Sequence, residues 1–489
     1  MRRRDGLEDV SRRGELDDEL YAEFGPMRIE PERQPLLRQL LEELNFKEAS
    51  PPDEAKDGDP IPFPAYESAE PEEPVFKLKE EEAKQKTILD LLMLALRRIF
   101  EKTSELKWNP SAQDRFDNMI RPQDVVRLQW KKEMQKWLDA LNSEDFAKLR
   151  KTGRLGDTPL WNMGLNVLSD VLSHMAVTKI RDWGSFYHLL PENPSAAEWI
   201  IFWMRALQTS AQLRGIKGGM SHMVTRLLTR FNEPDLKGNI HVERKMRLVS
   251  LKPRPGGRVV LRFDSLGAPA VEAKHVILAL PKRSLEGLRD CLEEVDADLD
   301  AVFGFPLLKC FFVVKDPWWE RNRKPNTYAA NVPTRELHYW MRRDRTKGMI
   351  MFYTDRPGTQ FWADYLPRSV KQEEADRWTR ARSNRRLADK FKQYLAENNV
   401  REFKSENLLA YGAAAHAWRP GSKSWKSLER LRAFSLTKGG PSNVHVCGEA
   451  YSDYQGFIEG ALRSTAQVLD TIGVRVLSPS ERGSLSSQT

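Results

Sequence analysis

The sequence predicts a mixed α/β protein in which a helical middle interrupts a strand-rich body, and three observations predict it. From about Glu80 to Gln212, segments such as LLMLALRRIFEKTSEL, VLSDVLSHMAV and AAEWIIFWMRALQTSAQL repeat apolar side chains every three or four residues, which is helical spacing. After Gly218 and Gly219 the chain turns to strand-like runs, NIHVERKMRLVSL, GRVVLRF and AKHVILALP, separated by turn signals such as Pro255-Gly256-Gly257. Near the C-terminus, NVHVCGEAYSDYQGFIEGALRSTAQVLDTIG reads as a buried strand, a glycine-containing loop and a helix.

The remaining elements follow in order. QPLLRQLLEELN, from Gln34 to Asn45, spaces its leucines along one helix face, with Pro31 and Glu32 suited to the first turn. From Ala49 to Pro74 the composition shifts to Pro, Glu and Asp, as in an extended surface connection. MSHMVTRLLTRF reads as a short helix. KCFFVVKD and GMIMFYTD are β-like, and a charged helix is predicted over roughly Gln372 to Asn398. The Ser-rich last ten residues are expected to form a disordered tail.

Length and composition bound the function. A chain of 489 residues exceeds one simple core, so two or three domains are expected. The net charge of +8 is scattered rather than banked, which suits a solvated surface and gives no reason to expect a nucleic-acid partner. Cys291, Cys310 and Cys447 have no metal or redox spacing, and their odd number argues against a disulfide framework. No run of about 18 apolar residues occurs, so no membrane span is expected. The basic N-terminus lacks an apolar core, so it is no secretory signal and a cytoplasmic location is expected. The eight histidines show no metal-ligand pairing, and neither a Gly-x-Ser-x-Gly elbow nor a Walker loop is present.

Several motifs carry chemistry. Val444-His-Val-Cys-Gly-Glu-Ala is followed by Gln455-Gly-Phe-Ile-Glu-Gly-Ala461. A strand ending in Gly-Glu beside a glycine-opened helix offers backbone N–H groups and a helix dipole to an anionic or carbonyl-rich ligand. An ordinary strand-to-helix turn would also use such glycines. Tyr21-Ala-Glu-Phe-Gly-Pro-Met-Arg28 puts one guanidinium on a turn, and its two parallel donors suit a planar carboxylate. A surface arginine would read the same way. Ile216-Lys-Gly-Gly-Met220 precedes a helix, and Ile240-His-Val-Glu-Arg-Lys-Met246 reads as a strand. Lys309 and Tyr353 stand in β-like runs, and Trp418 and Trp425 in HAWRPGSKSW are either pocket walls or core.

From about Tyr21 to Leu469 these phrases together resemble the flavin-containing amine oxidase superfamily, most closely its L-amino acid oxidase type. The resemblance implies a Rossmann-like α/β domain binding FAD, an α+β substrate domain and a helical domain. It implies that Glu449 holds a ribityl or ribose hydroxyl and that Gly456, Phe457 and Ile458 face the isoalloxazine carbonyls. Gly25, Pro26, Met27 and Arg28 would touch the flavin, and Met246 would back the adenine. Arg28 and Tyr353 would bind a substrate carboxylate, Trp418 and Gly456 would wall the substrate, and Lys309 would hold a water near flavin N5. The implied reaction is oxidative deamination of an L-amino acid by O2, giving a 2-oxo acid, ammonia and hydrogen peroxide. The alternatives are an amine or polyamine oxidase, a flavin monooxygenase acting on an amino acid, or a non-catalytic subunit.

One piece of that pattern is missing. No two glycines in the chain are separated by a single residue, so the Gly-x-Gly-x-x-Gly pyrophosphate turn is absent and the Rossmann-like unit is expected to be incomplete at its N-terminus. An unread first exon, a partner subunit supplying the βαβ unit, or a degenerate flavin-free relative would each account for it. A homo-oligomer is also open. The expected order is substrate domain over 15–78, helical domain over 79–212, FAD domain over 213–300, substrate domain over 301–432, FAD domain over 433–475, then the tail from 476 to 489.

Overall fold

The computed structural model describes residues 20–46, 55–62 without 57, 76–98 and 164–202 with short gaps, and 213–474 without 266, 316, 318, 320–332, 368–378, 396–407 and 423. The tail, Trp425's side chain and much of the predicted helical middle, including 101–163, lie outside the described residues.

Helix α1 (Pro35–Glu43) buries Leu37 and Leu41. Its Pro stands at the first helical position rather than at Pro31, because Pro fits where no N–H partner is needed. Strand β1 (Pro60–Pro62), inside the segment read as a connection, pairs antiparallel with β2 (Arg214–Ile216). Helix α2 (His174–Trp183) starts at Ser173, whose side chain accepts the Ala176 N–H. Helix α3 (Ser221–Phe231) follows Gly218 and Gly219, both at positive φ.

Strands β3 (Leu248–Arg254), β4 (Arg258–Phe263) and β5 (Val271–Ala273) form a three-stranded antiparallel sheet. The predicted strand over 240–246 does not form. Lys245 is left-handed, Ile240 and Val242 are exposed, and no strand pairs with the segment, so its apolar residues have no surface to cover. β6 (Val276–Ala279) pairs parallel with β12 (Val444–Cys447).

The body carrying the site is a five-stranded antiparallel sheet in the order β10–β11–β7–β9–β8. Its strands are β7 (Val302–Lys315), β8 (Glu336–Met341), β9 (Lys347–Thr354), β10 (Thr379–Arg382) and β11 (Leu408–Trp418). Among the described residues, the predicted charged helix forms as α4 (Arg385–Tyr394), while 371–378 and 396–398 lie outside them. Asn384 caps it by accepting the Leu387 N–H, and 379–382 pairs with β11 instead. Helices α5 (Ser424–Arg432) and α6 (Ile458–Thr471) follow toward the C-terminus.

β7 explains how a lysine comes to be buried. Its residues alternate between two covered faces. Leu308, Cys310, Phe312 and Val314 join the core beneath α4, with Leu387, Phe391 and Trp362. Phe311 packs on the other face with Leu20, Met27, Met349 and Met351. Lys309 shares that second face and therefore meets the N-terminal segment instead of solvent.

Arg335 ties the helical part to the sheet. Fully buried, it donates to Asp355 and to the carbonyls of Arg181, Gly184 and Arg356. Beside it, Glu192 pairs with Arg356 at 3.0 Å, while its Oε1 is buried with no hydrogen-bond partner among the described residues. Burial raises the Glu192 carboxyl from 4.5 to about 7, against the pull of Arg356. This folded value lies above the unfolded one. The destabilisation is therefore absent below pH 4.5, grows between 4.5 and 7, and is complete above 7. Glu192→Gln is expected to raise stability at pH 8 by up to about 3 kcal/mol and to change nothing at pH 4.5. Urea unfolding at the two pH values checks this, and an equal gain at both would contradict it.

Candidate active site

Three of the motifs meet on the sheet. Register places Lys309 and Glu336 opposite Tyr353 on its two sides, so the three form one row across β7, β9 and β8. The turn from Glu23 to Arg28 lies over this row. Lys309 donates its Nζ to the carbonyls of Glu23 at 2.9 Å and Gly25 at 2.5 Å, and sits 4.9 Å from the centre of the Tyr353 ring. Burial pushes this ammonium down to about 7, opposed by the nearby Glu23 carboxylate. Glu23 itself is raised by burial and accepts the Met220 N–H at 2.6 Å, while Tyr21 donates to the Ile216 carbonyl. The Gly-Gly-Met phrase therefore anchors the Arg-bearing turn.

The Arg28 guanidinium makes two parallel bonds to Glu336, at 3.1 and 3.2 Å. This departs from the expectation that it meets a substrate carboxylate, because a carboxylate of the chain already fills its fork. Glu336 also contacts His338 Nε2 at 2.9 Å. Burial alone would raise the Glu336 carboxyl, but Arg28 and His338 outweigh it and hold it at about 2. Burial lowers His338, opposed by Glu336, and its Nε2–H donates to that carboxylate. Glu336 and His338 were not singled out from the sequence. The available signal was a charged residue and a histidine at alternate positions of one apolar strand, both aimed at one face.

The C-terminal motif forms the second half. Gly448 takes φ +131 and Gly456 φ +88, conformations that favour glycine. Glu449 Oε1 accepts the Gly456 N–H at 2.5 Å, and its Oε2 lies 2.7 Å from His416 Nδ1. Phe457 precedes α6 without a side-chain cap, and the Gly460 N–H bonds back to its carbonyl at 3.1 Å, which leaves the N–H groups ahead of Gly460 to other acceptors. Its ring stacks on Phe202, with centroids 6.2 Å apart. Ile458 packs with Ile29, Leu37 and Met220, which joins this half to the segment bearing Arg28.

A cavity of about 60 Å³ lies here, lined on one side by Leu189, Glu198, Trp199 and Phe202. Phe305, His416, Trp418, Asp453 and Gly456 close the other side. Trp418 and Gly456 stand on its wall, and Tyr353 packs against the cluster of Phe305 and Ala415. Met246 is half-buried outside it. Glu198 accepts from Ser424, and Asp453 pairs with Arg463 at 2.5 Å. A wider depression of about 920 Å³ between 296–301 and 419–430 is open, of mixed charge, and contains none of the motif residues.

The uncapped start of α6 and the two left-handed glycines fit the carbonyl edge of a flavin. The pyrophosphate end has no Gly-x-Gly turn to meet it. Among the described residues no helix is long and apolar enough to cross a membrane, and no group of three or more His, Cys, Asp or Glu is placed to hold a metal.

Comparison with known proteins identifies the fold and the family. No curated protein sequence matches the chain. Wild-type putrescine oxidase bound to putrescine superposes with a TM-score of 0.56 at 13% identity, covering 94% of this chain and 90% of that one. A single-substitution variant of putrescine oxidase gives 0.55 at 14% identity, covering 93% and 88%. At these identities the likeness shows the fold, an FAD-binding part with a substrate domain. The family model for flavin-containing amine oxidoreductases matches residues 10–468, so the chain belongs to that family and its cofactor is FAD.

Proposed function

We propose that the protein oxidises an amine lacking an α-carboxylate, rather than the L-amino acid that the Arg-bearing turn suggests. The observation that carries this reading is the Arg28–Glu336 pair. A guanidinium held by an internal carboxylate presents no net charge to a substrate carboxylate, and a second carboxylate would have to displace Glu336 from a buried site. The cavity has the opposite bias. Glu198 stands among Trp199, Phe202, Phe305 and Trp418, an acidic and aromatic lining that attracts an ammonium. A water needs about 10–15 Å³ of such space, so the cavity holds a few waters or a short alkylamine head. Its small size also supports selection against bulky groups.

The chemistry that bound FAD supplies is acceptance of a hydride from the carbon bearing the amine, with O2 as the final oxidant. Around it, Glu449 and the α6 start would hold the flavin end, and Phe457, Trp418 and Phe305 would keep water from the reacting carbon. Lys309 fixes the Glu23–Gly25 turn through its two carbonyl bonds.

The test uses matched pairs, each L-amino acid against the amine left by removing its carboxylate, with peroxide production as the readout. The expected kcat/KM favours the amine by about 100-fold or more, the scale of a buried charge mismatch. Glu336→Gln removes the competing charge and is expected to narrow that preference. A wild-type protein that prefers the amino acids would overturn the reading.

A further inference from the structure

One side chain on the cavity wall is used by nothing described so far. His416 is on β11 and lines the cavity beside Trp418, Phe305 and Gly456. Its Nδ1 lies 2.7 Å from Glu449 Oε2. Glu449 Oε2 accepts in this pair, so Nδ1 carries the hydrogen and donates it. The other ring nitrogen, Nε2, is then an acceptor, and it is the nitrogen left to meet a ligand. Glu449 cannot swing away, because its Oε1 accepts the Gly456 N–H at 2.5 Å. Gly456 is in the left-handed region and also lines the cavity. A backbone amide thus fixes a carboxylate, and the carboxylate fixes an imidazole. This is the arrangement that prepares a histidine to take a proton.

The reaction read above needs such an acceptor. An alkylamine in water is an ammonium, with a pKa near that of lysine, about 10.4. Its α-carbon gives up a hydride only when the nitrogen has a free lone pair, so one N–H proton must first leave. The other ionisable groups facing the cavity are occupied. Glu198 accepts from the Ser424 hydroxyl, and Asp453 is paired with Arg463. Glu198 suits attraction of the cation, and Asp453 is already neutralised by its arginine, so neither suits removal of the proton.

We propose that His416, oriented by Glu449, accepts the proton that the bound ammonium loses before its α-carbon is oxidised. The N–H bond breaks, its pair stays on the amine nitrogen, and the proton forms a bond to Nε2. The imidazolium is then stabilised by Glu449. No oxidant takes part in this step. The inference rests on the amine reading of the cavity.

The experiment is the pH profile of kcat/KM for the amine that the wild-type protein oxidises best. His416→Gln is expected to lower kcat/KM at pH 7 by about 10²–10⁴-fold, the usual value of a positioned base. The loss should shrink toward pH 10, where solvent supplies the neutral amine. Glu449→Gln keeps an oxygen for the Gly456 N–H but turns a donor toward Nδ1. That forces the opposite tautomer and removes the acceptor at Nε2, so the same pH-dependent loss is expected. This variant also carries the test if His416→Gln does not fold. Retained flavin absorbance in both variants separates a lost base from a lost site. A loss independent of pH, or none, would overturn the role of His416 while leaving the amine reading intact. Failure of the wild-type protein to oxidise any amine would sink that reading first.

Discussion

Glu336→Ala is expected to cost about 3–5 kcal/mol of folding stability. The carboxylate is nearly fully buried and bonds both Arg28, through two bonds, and His338. Removing it takes both of these bonds from a guanidinium that is only 12% exposed. Replacing the whole pair, as Arg28→Met with Glu336→Leu, should recover most of the loss, because apolar groups need no partner. The pH dependence follows from the depressed carboxyl. Its folded value of about 2 lies below the ordinary 4.5, so the pair's contribution is complete above pH 4.5 and disappears as pH falls toward 2. Urea unfolding of the single and double variants measures both effects. A single-variant loss below about 1 kcal/mol would mean that water reaches Arg28 easily, as at an exposed pair.

Gly460→Ala should be nearly as damaging, by a different cause. A Cβ at Gly460 would stand 2.1 Å from the Tyr454 carbonyl oxygen and 2.5 Å from Ser452 Oγ. Both atoms belong to the loop that closes the cavity and carries Gly456. Backbone cannot rotate aside as a side chain does, so the loop must shift, at a cost of about 1–3 kcal/mol or more. The displaced Gly456 would release Glu449 and move the start of α6, so flavin retention should fall by at least about tenfold. Gly25→Ala is the contrast. Nothing lies within 4 Å of a Cβ there, and the φ is unstrained, so thermal stability should hardly change. Melting curves and flavin content after gel filtration compare the two, and an undamaged Gly460→Ala would contradict the close packing.

Local patterns were legible in the sequence and distant pairings were not. KCFFVVKD announced a strand, and α6 with its glycine-opened start emerged where the motif placed it. Lys309 lies over Tyr353 and holds the turn that carries Arg28, although 325 positions separate Arg28 from Tyr353. What the residues alone could not give was the partner of each charge. Glu336 stands 308 positions from Arg28, and no local rule connects them. His416 looked like one residue in a tryptophan-rich phrase until β11 brought it to Glu449. Two segments misled for a physical reason. Ile240 to Met246 alternates like a strand but finds no neighbour, and 379–382 is charged like a helix surface but is drawn into the sheet by β11.

Anaerobic reduction of the purified protein's flavin tests the central claim most directly, because it isolates the step in which substrate gives up its hydride. Bleaching of the visible flavin band by a short primary amine or diamine, with no response to the parent L-amino acid, is the predicted result. Bleaching by the amino acid and not by the amine would show that Arg28 is open to a substrate carboxylate, and would contradict the account.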